Sequence, residues 1–399
     1  SFGTDIENNG GANTPIVSDY TVDRTVITVN EENTVNSLTF ENDGTLAVEA
    51  GGSLEVSSGE LFVDAASEST VSGGKLTAST TDLVKDGGGQ LNLQNEVEVT
   101  NDARIEAGLL SIMGDGILKA INVIVQSAGT LGGDGTIEAD VQVFGTLAAG
   151  NSPGAINITG DLTLDPTSVT EVEIESLTNY DQTIASGDII LDGTLTASNF
   201  GAGAIQVGQK YDVFESTGGI ITGEFNTYNA PTNLRVRLLN DGSTASLRFA
   251  PVTYTLMAQS QNQFNVALAL DEFIPAIAGD AMTVSTALDE LSAAEYPAAF
   301  HQVMPYFYES MTEILLDQGF HQTKRLQQRL ALLRSINKAS TNETPGTASG
   351  WRAWTQVNVD SMSAGAFDAA PSYDNERDGF QVGADYYGKN MEALLTIQS

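Results

Sequence analysis

The chain has 399 residues, with 17 Lys+Arg against 52 Asp+Glu, a formal charge of −35 and a pI near 4.1. So acidic a surface repels phosphate backbones, which excludes nucleic acid as a partner; the absence of cysteine excludes disulfide scaffolds, thiolate metal sites and cysteine nucleophiles. Two histidines, His301 and His321, are too few for a multi-histidine metal centre, and no run of 18 apolar residues offers a membrane-crossing helix.

The chain opens at Ser1 with neither an initiator methionine nor a basic-then-apolar leader, so a mature or trimmed piece is expected. Residues 1–253 hold 9 basic and 35 acidic residues, and residues 254–399 hold 8 and 17. The first part is rich in Gly, Thr, Val, Asn and Asp, with apolar runs broken every few residues, as in Thr45-Leu46-Ala47-Val48-Glu49-Ala50-Gly51-Gly52-Ser53-Leu54-Glu55-Val56. Alternation of period two bounded by glycine predicts short β-strands joined by tight turns. Between Gly44 and Leu195, 14 of the 22 glycines are followed two residues later by Leu or Ile, the series running from Gly44, Gly52 and Gly59 to Gly187 and Gly193. Glycine permits the sharp corner, and the aliphatic residue two places on takes the first inward position of the next strand. One such unit cannot bury its apolar face alone, whereas stacked units can. The glycines are spaced irregularly, 6 to 27 residues apart, which disfavours a propeller and points to a parallel β-helix.

From about Met257 the pattern turns helical. Met311, Leu315, Leu326, Leu330 and Leu333 recur at helical steps, while Lys324, Arg325, Arg329, Arg334 and Lys338 gather towards the end, where positive charge complements the helix carbonyls. A helix over 305–338 would run about 50 Å at 1.5 Å per residue. Two readings stand for it: a basic amphipathic helix lying on a membrane, or one packed against its own protein or inside a barrel lumen. After a Thr/Gly/Pro linker at 339–350, the segment Gly350 to Val359 and the segment Phe380 to Tyr387 alternate as an antiparallel hairpin around an acidic loop at 374–379. Trp351, Trp354, Tyr386 and Tyr387 suit the aromatic girdle of a membrane barrel; an ordinary soluble hairpin is the other reading.

Several segments together resemble the bacterial autotransporters of type V secretion. The run Leu83-Val84-Lys85-Asp86-Gly87-Gly88-Gly89-Gln90-Leu91-Asn92-Leu93 followed by Ala103 to Leu110 is similar to their passenger-associated strand repeat. So is Gly129 to Ile137 leading into Gly145-Thr-Leu-Ala-Ala-Gly-Asn-Ser-Pro-Gly154. Tyr180-Asp181, Gly187-Asp-Ile189, Gly193-Thr-Leu195, Gly208 to Phe214 and Gly223-Glu-Phe225 resemble the family's folding-promoting cap, the autochaperone region. Residues 291–334 and 350–388 resemble its α-linker and the first strands of its translocator barrel. The resemblance implies a mainly β protein: a right-handed parallel β-helix over 1–165, a β cap over 166–253, an α-helical linker over 254–340 and the start of an outer-membrane β-barrel over 341–399. Only 49 residues follow Gly350, enough for three or four membrane strands where a closed barrel needs at least eight, so a cut or truncated translocator is expected. The implied location is the bacterial outer membrane with an extracellular passenger, and the implied partners are that membrane and its barrel-assembly machinery.

Chemistry leaves fainter marks. Gly150-Asn151-Ser152-Pro153-Gly154 satisfies Gly-x-Ser-x-Gly, but a nucleophile elbow joins a strand to a helix and needs a histidine base. A strand-like segment follows Gly154, so a turn is expected. Gly132-Gly133-Asp134-Gly135 matches one unit of a calcium nonapeptide without its period, and also reads as a corner. His301 and His321 read as helix-surface or core-edge residues. Catalytic, cofactor-binding and metal-binding residues are therefore assigned to none, no cofactor is expected, and the expectation is a non-enzymatic, adhesin-like surface stalk whose ligand or self-association partner is unidentified. The rival is a β-helical carbohydrate-active enzyme, a polysaccharide lyase or hydrolase, with carboxylates paired across a groove.

Overall fold

A computed structural model describes residues 5–6, 19–23, 26–29, 32–41, 45–57, 61–64, 68–202, 205–274, 278–304, 315–316, 319–332, 350–364, 373–388 and 391–398. The chain divides into two units, residues 1–299 and 300–399.

The first unit is a parallel β-solenoid. A representative turn consists of strands Leu83–Asp86, Gln90–Leu93 and Glu96–Val99, after which Ala103 begins the next turn directly above Leu83. Three columns of inward side chains result. One runs Leu38, Leu61, Leu83, Ala103, Val123, Val141, Leu162, Ile189, Ile221. A second runs Leu91, Leu110, Leu131, Leu147, Thr170, Leu195, Tyr228, and a third Leu54, Leu76, Val97, Leu118, Ile137, Ile158, Ala185. All fourteen of the Leu and Ile residues marked by a glycine two places earlier are buried, with exposures of 0–1%. Each contributes roughly 1.5–3 kcal/mol by burial. Turns are unequal: Ala103 and Val123 each lie twenty residues beyond their partners, whereas Ile189 lies 27 beyond Leu162. The excess length leaves as loops, so the columns stay in register. Gly73, at φ +93, is one corner where no other residue fits, because a Cβ there would overlap the Val48 carbonyl of the turn below.

The solenoid ends by changing its pairing. Strand Lys210–Ser216 is parallel to Gln182–Ala185 on one edge and antiparallel to Thr244–Pro251 on the other, and Leu234–Asn240 pairs antiparallel with the latter. This hairpin covers the final edge, whose N–H and C=O groups would otherwise recruit another strand. Aromatic rings replace aliphatic columns there. Tyr211 meets Tyr180 and Phe249 edge-on at 5.4 and 5.6 Å, and Phe225 meets Phe214 and Tyr228 at 5.9 and 5.8 Å. Parallel register runs on as far as Thr227–Asn229. A 3₁₀ turn (Tyr254–Met257), α1 (Gln261–Asp271), α2 (Gly279–Asp289) and α3 (Tyr296–Val303) follow. The Ser260 hydroxyl caps α1 by accepting from Gln263 N.

In the second unit, residues 319–332 are helical, and strands Gly350–Ala364, Tyr373–Gly388 and Met391–Gln398 form an antiparallel meander. Residues 315–316 are helical as well, and the rest of the expected helix over 305–338 and the linker over 339–349 lie outside the described residues. Trp351, Ala353, Thr355 and Val357 are exposed on one face, Trp351 by 63% and Val357 by 78%. Trp354 does not join them. It stands three positions after Trp351, an odd offset that alternation sends to the opposite face, and its ring lies 5.0 Å from the Arg329 guanidinium carbon and against Gly383. Trp351 and Trp354, expected together in one aromatic girdle, thus lie on opposite faces of the sheet, and the side chains of Tyr386 and Tyr387 lie outside the described residues.

Candidate functional site

The Gly150–Gly154 segment joins strand Thr146–Ala149 to strand Ala155–Ile158, so its serine sits in a strand–turn–strand corner without the helix that an elbow requires. Ser152 is exposed at φ +56. Beneath the corner lies Asp181, only 3% exposed. Its Oδ1 accepts from Gly154 N at 3.0 Å and its Oδ2 from Glu173 N at 2.7 Å. Burial raises its pKa to about 6, with the Glu173 charge adding and the two hydrogen bonds opposing. Asp181 thus ties the corner to the excursion that separates strands Val169–Ile174 and Gln182–Ala185.

A second buried polar group is Lys85, at 0% exposure in the column between Val63 and Ile105. Its ammonium donates to the carbonyls of Asp86, Gly87 and Ala107 at 2.6, 2.8 and 3.0 Å. On the outer surface, Lys75, Glu96, Lys119 and Glu138 alternate across successive turns with N···O distances of 3.2, 3.1 and 3.5 Å; Glu96 is held below the usual carboxylate range by the Lys119 and Lys75 ammoniums.

Among the described residues, the densest ionic cluster joins the cap to the helices. Arg235 grips Asp289 through both terminal nitrogens, and its Nη2 donates to Tyr254 Oη at 3.0 Å. Tyr254 Oη donates in turn to Asp289 Oδ1 at 2.9 Å. Burial, reinforced by the Asp289 charge, pushes the phenols of Tyr254 and Tyr296 up.

His301 lies half-buried in α3, and His321 lies in the helical residues 319–332. Gly132 and Gly133 end strand Ile117–Gly133, and Asp134 and Gly135 form the corner beyond it. Asp134 Oδ1 there accepts from Gly114 N at 2.7 Å, a corner-to-corner contact. Among the described residues no group of three or more His, Asp or Glu side chains is arranged to hold a metal ion, and no helix is long and apolar enough to cross a membrane. The sequence from Asp64 to Val143 contains no aromatic residue, so that stretch of the solenoid offers no ring on which a sugar could stack.

No protein-family model matches the chain. Over 202 residues it is 27% identical to an extracellular serine protease of Serratia marcescens; the match takes in 47% of this chain and 19% of that protein. The matched segment is thus under a fifth of the relative's length. This relative overturns the expectation of a non-enzymatic protein: the protein to which the sequence is similar is an enzyme. Residue type and spacing misled here because no nucleophile, base and acid stand in a recognisable order, and such an order says nothing about a similarity carried by scaffold residues.

Proposed function

We propose that this chain is the solenoid, cap and tether of an exported protein of the autotransporter kind whose full gene product is an extracellular peptidase. The solenoid holds the catalytic part away from the cell, the antiparallel cap of residues 210–251 acts as the folding-promoting end, and the three-stranded sheet begins an outer-membrane barrel. The observation that carries the reading is the parallel stacking of strands from Ser37–Glu41 to Thr227–Asn229, closed by an aromatic-filled antiparallel cap, in a chain similar to an extracellular protease. The exposed Trp351 and Val357 on one face of the sheet, with Arg329 over Trp354 on the other, support the barrel part. The outer membrane and its barrel-assembly machinery are the partners on this reading. Stacking suits export because each turn needs only its neighbour, so turn-by-turn folding outside draws the chain outwards.

The test uses the full gene product in a Gram-negative host. Intact cells should expose the solenoid to added protease, and secreted material should hydrolyse peptides and take up a serine-directed fluorophosphonate label. A solenoid protected until the cells are lysed refutes the export reading; surface exposure without hydrolysis or labelling refutes the peptidase reading alone.

A further inference from the structure

Between Lys210 and Lys324 the sequence has three basic residues, Arg235, Arg237 and Arg248, all on the hairpin of strands Leu234–Asn240 and Thr244–Pro251. Residues 254–304 hold six carboxylates and no Lys or Arg. All three arginines converge on the end of α2. Arg235 Nη1 lies 2.7 Å from Asp289 Oδ2, Arg237 Nη2 3.5 Å from the same oxygen, and Arg248 pairs with Glu290. Asp289 is 1% exposed, whereas the Glu290 side chain is 57% exposed. Backbone contact adds to charge: Gly208, at φ +83, approaches Leu291 so closely that a Cβ would overlap its carbonyl.

α1 and α2 bury little apolar surface of their own. α1 buries Gln263, Ala267 and Leu270, and α2 buries Ser285, Leu288 and Asp289. Phe264, Leu268, Met282 and Val284 of the same helices remain exposed. Tyr254 in the 3₁₀ turn and Tyr296 and Phe300 in α3 are fully buried, so rings anchor the segment at its two ends, and between them the docked position of α1 and α2 depends on the ionic cluster, the condition under which a segment opens locally.

We propose that residues 289–292 are the tongue of a releasable clamp. The α1–α2 segment closes over the arginine face of the cap through Asp289, and it opens without unfolding the solenoid, uncovering three arginines on an acidic protein. Breaking a buried, hydrogen-bonded ion pair costs far more than breaking an exposed one, so the tongue is locked by Asp289 and not by Glu290.

Hydrogen exchange on the whole chain tests this. Asp289→Asn should speed exchange of the α1 and α2 amides about 100-fold or more, while strands Ala103–Ile112 and Thr136–Val143 keep their protection. Glu290→Gln should change α2 by less than about 3-fold. Arg235→Lys, which keeps the charge and loses the two-pronged grip, serves if Asp289→Asn does not fold, and should speed α2 about 10-fold. The proposal is overturned if α2 speeds less than 10-fold in Asp289→Asn (or not at all in Arg235→Lys, where that variant stands in), if solenoid strands lose protection together with α2, or if Glu290→Gln opens the helices as far.

Discussion

Replacing Lys85 by methionine sets two opposed effects against each other inside the solenoid. Methionine has nearly the same length and fills the column between Val63 and Ile105, so the cavity term is small. Removing a buried ammonium also recovers its desolvation cost, several kcal/mol. Against this, the carbonyls of Asp86, Gly87 and Ala107 lose their donor. Hydrogen bonds to a charged group contribute about 1.5–3 kcal/mol each, so three amount to roughly 5–9 kcal/mol before the desolvation cost is subtracted. An ion pair replaced on both sides by apolar groups is often neutral, but here the acceptors are backbone and stay behind. The expected balance is a loss of about 2–4 kcal/mol. It should be concentrated in the turns that contain residues 61–64, 83–86 and 103–112, since a solenoid is coupled mainly to its neighbours. Urea unfolding followed by circular dichroism gives the total, and hydrogen exchange gives the location. An unchanged or raised urea midpoint would mean that the ammonium burdens the fold, and the reasoning about its three acceptors would fail.

Asp181 predicts a pH effect: its folded pKa of about 6 exceeds the unfolded value, so the folded chain alone holds this proton between pH 4 and 6, and the associated stability is lost as pH rises through that window, by about 3 kcal/mol. From pH 4 to 7 the parent should lose that much more than Asp181→Asn, and equal losses in urea unfolding would refute the assignment. Tyr211→Ala or Phe225→Ala, each removing a buried cap ring, should cost about 3–5 kcal/mol and lower surface display of the full gene product, measured by antibody binding to intact cells. Gly73→Ala should cost more than about 2 kcal/mol, through its positive φ and its overlap with Val48, and a melting temperature equal to the parent's would count against it. Ser152→Ala should leave peptide hydrolysis by the full gene product unchanged, because the serine lies in a corner between strands.

The solenoid was legible because its rule is local. A glycine and the aliphatic residue two places later lie within one corner, and no distant residue is needed to recognise the inward position. What eluded the sequence depends on distance or on a break in the alternation. Lys85 follows Leu83 by two residues and so falls on the inward face, yet a lysine in such a pattern reads as outward; the carbonyls of Asp86, Gly87 and Ala107 help to make the inward position tolerable. Arg235 and Asp289 are 54 residues apart, and nothing in either segment specifies the other. The one local hint is Leu234-Arg235-Val236-Arg237-Leu238, a strand with arginine at alternate places in an acidic region. Trp351 and Trp354 group together by composition, but an odd offset of three positions separates them in an alternating strand.

The acidity itself has a structural origin that composition conceals. Parallel stacking places equivalent positions of successive turns about 4.8 Å apart, so a carboxylate repeated at one corner faces its own kind. Along one corner, Asp140 Oδ1 accepts from Asp161 N at 2.9 Å, Asp161 Oδ1 from Asp188 N at 2.8 Å, and Asp188 Oδ1 from Ile220 N at 2.8 Å. Each carboxylate thereby satisfies an N–H of the following turn that the strand ladder has left unpaired. The glycines before these residues follow from the same geometry: a Cβ at Gly160, Gly187 or Gly219 would strike the carboxylate of the preceding turn. Gly-Asp pairs at 160–161 and 187–188 are therefore one device, a corner that exchanges a side chain for room and a hydrogen bond. Part of the negative charge thus serves first to hold one turn of the solenoid on the next.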